Sequence, residues 1–192
     1  MNIPLKDWLG TFWKVLVSPT PQTFLTEAQK GSDKFSSALG WLIFFAIYLY
    51  ALVTIGITPL PVAAFVTAVL LIPLVVILFT SAMHFTYQRV FHRKEYLYDK
   101  LLYITVSILL PLQFIFVPLA LFLPEKVSLV LIYVLLLYQI ALLVMALKAI
   151  AKLEYWQALF TVFISVIVGI LVFFCTLPLI ISAIGEVKNT TS

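Results

Sequence analysis

Residues Val127 to Ala149 read VSLVLIYVLLLYQIALLVMALKA, and their only charged side chain is Lys148, one place from the end. A helix needs roughly 20 apolar residues to cross the hydrocarbon of a bilayer. One that is apolar all round must be buried in protein or lipid. Four other stretches share this character: Phe35 to Ile57, Val62 to Tyr87, Leu101 to Leu123 and Trp156 to Ala183. They are continuously apolar, whereas barrel strands would alternate apolar with polar. The sequence therefore predicts an all-α integral membrane protein, a five-transmembrane-helix bundle with an N-terminal amphipathic interfacial helix.

The composition agrees. Of 192 residues, 64% are hydrophobic and 10% charged, and mean hydropathy is +1.15. A soluble domain carries about a quarter charged residues, so this surface could not be kept polar in water. Disorder is excluded, because it requires low hydrophobicity. Residues 1–34 form a cytoplasmic arm, 35–183 the membrane domain and 184–192 an external tail. Short links join the spans: Thr58 to Pro61, Pro124 to Lys126 and Lys152 to Tyr155. The longest is the charged run from Gln88 to Glu95. No cleavable leader is expected, so the first span serves as an uncleaved anchor.

Ten of the twelve Lys and Arg residues fall in the N-terminal arm, the second-to-third link and the fourth-to-fifth region; only Lys126 and Lys188 lie on the other side. Basic residues stay cytoplasmic. The N-terminus is therefore expected inside and the C-terminus outside, in the cell membrane. The net charge of +4 follows from this pattern, and no nucleic acid partner is expected.

In the arm, Leu5, Trp8, Leu9, Phe12, Trp13, Leu16 and Val17 share one helical face. Lys6, Asp7, Gly10, Thr11 and Lys14 fill the other. Asn2 and Pro4 suit its start, and Ser18-Pro19 its end. Such a helix lies on the inner leaflet or packs against the ends of the spans. A second helix is predicted from Thr20 as cap and Pro21 as first residue, ending before Gly31, with Ser32 or Asp33 capping the first span.

The centres of the spans hold no Asp, Glu, Lys or Arg. That argues against a proton pump or voltage sensor. Gln113 and Gln139 lie at similar depth, 12 and 14 residues from Glu125. An unpaired amide in hydrocarbon is costly. The pair predicts a mutual hydrogen bond, one to Tyr138, Ser107 or a bared carbonyl, or contact with a polar ligand near Pro111. Pro73, Pro111, Pro118 and Pro178 permit kinks. Ser165 and Gly169 form a small-xxx-small pair for a helix contact, within the chain or in a homo-oligomer. His92 and Glu95 are too few ligands for a structural metal site. Cys175 is the lone cysteine. No phosphate loop, nucleophile elbow or carboxylate pair appears, so no enzyme activity, catalytic residue, metal or cofactor is expected.

Three segments carry a family resemblance. Phe12 to Phe24 (FWKVLVSPTPQTF) looks like an apolar helix, a proline and a following phenylalanine. Tyr96 to Pro111 (YLYDKLLYITVSILLP) is an aromatic entry to a span with a later proline. Ala146 to Ala158 (ALKAIAKLEYWQA) resembles a link between the last two spans. Together they resemble the Yip1 domain family of five-span membrane proteins. The chain is most similar to its compact prokaryotic members. The Gly-rich segment often found before the third span is absent, and His92 to Glu95 stand there. The aspartate-leucine-tyrosine-glycine-proline motif of the Rab-linked eukaryotic members is also missing, so GTPase binding is not carried over.

The resemblance implies a non-enzymatic scaffold or adaptor linked to membrane organisation or trafficking. Its partners would be membrane lipids and proteins at the cytoplasmic face. Trp8, Phe12, Trp13, Arg89, Arg93 and Lys94 are the candidate partner surface. The competing expectation is a carrier or lipid-handling protein with a cavity between the third, fourth and fifth spans.

Overall fold

In the computed structural model, which describes residues 5–56 and 62–190, the third span is the hub. It runs from Tyr98 to Phe122 (α5) and is 61% buried over its most apolar stretch, against 12–28% for the other four spans. Gly31–Gly56 (α3), Val62–Phe85 (α4) and Glu125–Ala151 (α6) pack on it, and Tyr155–Thr190 (α7) packs on α4 and α6. Five helices are long and apolar enough to cross a membrane. No strand occurs among the described residues.

The expected spans fall within a few residues of the helices, with two extensions. α7 continues to Thr190, so most of the expected tail is helical. α4 passes into a π-helix from Thr86 to Val90, which takes in the start of the charged link. The expected Thr58–Pro61 linker and the Asn2 cap lie outside the described residues. α4 packs chiefly on α7, and α3 on α5. Gly169 of α7 faces Phe79 of α4, and Ser165, one turn earlier, is fully buried. The small pair thus serves a contact inside the bundle.

Two shorter helices precede the spans. Leu5–Val17 (α1) and Pro21–Ala28 (α2) pack against each other and on α5, while α2 also packs on α6. Thr20 caps α2 as expected: its Oγ1 accepts from the Thr23 amide at 3.1 Å, and Pro21 takes the first position. α3 begins at Gly31, so neither Ser32 nor Asp33 occupies the cap position. That start is crowded: a Cβ at Gly31 would stand 2.8 Å from the Lys100 Cα and 2.9 Å from the Asp99 carbonyl. Helix α3 starts where the backbones of α3 and α5 touch.

Candidate functional site

Glu27 of α2 is 1% exposed, and its carboxylate ties the hairpin together. Thr11 Oγ1 donates to it at 2.8 Å, Lys14 Nζ reaches it at 3.4 Å, and Lys30 forms its closest ion pair. Thr11 has a single hydroxyl hydrogen and spends it on the carboxylate. The Tyr103 hydroxyl, 3.1 Å away on α5, is therefore the donor to Thr11. Burial alone would raise the Glu27 pKa. The hydrogen bonds from Lys30 and Thr11, with the charges of Lys30 and Lys14, outweigh it and hold the carboxyl below its ordinary 4.5.

Beside this cluster Trp8 is fully buried. Its Nε1 donates to Ser37 Oγ at 2.7 Å. Its ring packs 4.7 Å from Tyr103, 5.4 Å from Phe12 and 5.9 Å from Trp41, centroid to centroid. Lys34 and Asp7 pair at 3.1 Å across the first turns of α3 and α1. At the other end of α1 the Leu16 carbonyl, one of the orphan acceptors of a helix C-terminus, accepts from the Tyr138 hydroxyl at 2.5 Å. Tyr138 is the middle residue of α6. The far end of α1 therefore reaches half-way along a span, and the helix lies alongside α3 and α5 rather than across their ends.

The face drawn from the sequence divides in two. Trp8 and Phe12 turn inward, whereas Leu9, Trp13 and Val17 stay exposed. Thr11, placed on the polar face by spacing, is buried because Glu27 and Tyr103 supply it with partners, and Val15 is buried with it.

The outward residues of α1 form one wall of an apolar groove of about 420 Å³. Trp41 and Phe44 of α3 form the second wall. Pro111, Phe114 and Ile115 of α5 form the third. Pro111, Phe12 and Trp13, drawn from two different candidate sets, thus meet in one hollow. Gln113 and Gln139 do not line it.

The two amides make no hydrogen bond to each other. Gln139 is buried and donates from Nε2 to the Leu109 carbonyl at 3.4 Å. Gln113 is half-buried. Arg89, Arg93 and Lys94 are exposed at the end of the bundle where α3 and α5 begin. His92 takes a left-handed conformation there, φ 53°, in a non-helical link. It shares no helix face with Glu95. No group of three or more His, Cys, Asp or Glu side chains is placed to hold a metal among the described residues.

Glu27 was missed because an isolated Glu in an arm with Lys14 and Lys30 reads as a solvated charge. The one available signal was spacing: Lys30 lies three residues on, on the same helical face.

No protein-family model, no curated protein and no solved structure matches this chain.

Proposed function

We propose that the protein is a non-enzymatic scaffold of the cell membrane, of the Yip1 type, whose cytoplasmic end recruits protein partners. One observation carries this: a rigidly tied helical hairpin and an exposed cationic link stand at the same end of the bundle. Glu27, Thr11, Trp8 and Tyr138 fix the hairpin, while Arg89, Arg93 and Lys94 stay free of ion pairs among the described residues and exposed. A fixed platform beside unspent positive charge suits an acidic protein surface, through steering and register. The exposed strip of Leu9, Trp13 and Val17 supports placing α1 within the cytoplasmic leaflet.

Photo-crosslinking in intact cells tests the proposal. A crosslinkable residue at position 93 should trap discrete protein partners, and one at position 126, at the opposite end, should not. Equal trapping at both positions defeats it. Cysteine labelling tests the orientation independently: position 2 should be shielded from an external reagent and position 190 accessible.

A further inference from the structure

The groove between α1, α3 and α5 has the polarity of a lipid. Its second and third walls belong to apolar spans, so Trp41, Phe44, Pro111 and Phe114 stand at the depth of hydrocarbon rather than of water. Beyond its lining, the starts of α1 and α3 carry lysines. Lys6, assigned to the other face by the apolar stripe, precedes Leu9 by three residues and Trp13 by seven and so borders the exposed strip that those two form. Lys34 precedes Trp41 by seven on α3. The ion pair of Lys34 with Asp7 and the bond from Trp8 to Ser37 hold these two helix starts together at that end. Among the described side chains of these two helix starts, two lysines stand against one aspartate, which leaves the mouth positive. From there the hollow runs past Leu9 and Trp13 to Val17 and Ile115 without meeting another charge. Its volume of about 420 Å³ falls within the roughly 300–1,000 Å³ of small-molecule sites.

We propose that the groove holds one acyl chain of an anionic phospholipid, with the headgroup held by Lys6 and Lys34. Bilayer hydrocarbon surrounds the spans and supplies the chain. The positive mouth selects the headgroup by charge. Trp13, 70% exposed, lies along the chain with the other groove residues. The proposal goes beyond partner recruitment and stands whether or not the basic link binds a protein.

Native mass spectrometry of the full-length protein in detergent tests it. The probes are dimyristoyl phosphatidylglycerol and dimyristoyl phosphatidylcholine, supplied in equal amounts. The expected result is saturation at one phosphatidylglycerol per chain under conditions that strip phosphatidylcholine. Ile115→Trp, and separately Leu9→Trp, should lower retention about tenfold, the equivalent of losing contact with roughly two methylenes. Val130→Trp, on the exposed face of α6, should leave retention unchanged. Lys6→Gln should narrow the preference for phosphatidylglycerol.

Ile115 and Leu9 are both more than half exposed and lie on opposite walls, so an added ring has room to project. If one variant fails to fold, the other decides, and saturation of the unaltered protein is read without any variant. Lipid uptake that never saturates overturns the proposal. So does retention unchanged by both groove variants. A dimer that dissociates on Ile115→Trp also overturns it, by assigning the groove to a second copy.

Discussion

The two halves of α6 are nearly alike in hydropathy and opposite in surroundings. From Val127 to Tyr138 its side chains are mostly exposed, with Val130, Tyr133 and Leu137 each more than 60% so. From Gln139 to Ala151 the helix turns buried, with Leu142, Leu143, Ala146, Leu147 and Ile150 packed inside. α2, α5 and α7 all pack on α6. Lipid tails are as apolar as leucine, so hydrophobicity does not choose between a lipid-facing and a protein-facing side. Shape and polar bonds do. The bonds from Trp8, Thr11, Tyr138 and Gln139 all lie on the basic half or at its border.

Substitutions in matched pairs test that contrast, read as unfolding free energy in detergent. Trp8→Ala should cost about 3 kcal/mol, because it empties a fully buried ring site and strands Ser37, whereas Trp13→Ala should cost less than about 0.5 kcal/mol. Similar losses from both would erase the distinction between the two strips of α1.

Glu27→Gln should cost about 2 kcal/mol, since its lysine partners are partly solvated and only part of a buried-pair penalty applies. Glu125→Gln, at the exposed far end of α6, should change stability by less than about 0.5 kcal/mol. The sign of the pH effect follows from the lowered pKa. The native state favours the charged carboxylate, so its contribution is present above the ordinary value of 4.5. It is lost as pH falls through the lower native value. A titration of stability against pH should show that loss in the unaltered protein and a flatter curve in Glu27→Gln. Parallel curves would remove Glu27 as its source.

Gly31→Ala should cost about 1–2 kcal/mol, because the new methyl meets backbone that must move. Gly10→Ala, with nothing within 4 Å of the added Cβ, should instead stabilise α1 by about 0.5–1 kcal/mol. A loss at both sites would mean that α1 is crowded on its outer side as well. The smallest effect belongs to the amides: Gln139→Leu should cost about 0.6 kcal/mol, and Gln113→Leu less. A larger loss from Gln113 would show that it, too, has a partner within the bundle.

Span number and helix boundaries were legible because each rests on a local signal: a long apolar run, a charged link, or Thr20-Pro21 at a helix start. The candidate site was legible only in part. Spacing drew one apolar face on α1, yet that face divides between buried Trp8 and Phe12 and exposed Leu9, Trp13 and Val17, and it left a carbonyl as one of several partners open to Gln139. It could not reveal that Thr11 is buried, since that depends on Tyr103, 92 residues away. Nor could it place Pro111 beside Phe12. Depth along one helix is a one-dimensional property that counting recovers; which helix stands beside which is not.

The Tyr138 to Leu16 bond joins residues 122 apart, and it imposes an order of assembly. The hairpin leaves the ribosome before the spans, yet its seat on α6 follows only with the fourth of them. At about 5–20 residues per second, Leu16 waits roughly 6–24 s for Tyr138. Trp41 of α3 is available early in that interval, whereas until α5 is made Trp8 lacks the Tyr103 ring and Glu27 the Tyr103 side of its cluster. Newly made chains thus pass through a stage in which an apolar helix is complete and homeless. Its docking is a late checkpoint, closed only once the third and fourth spans are both in place.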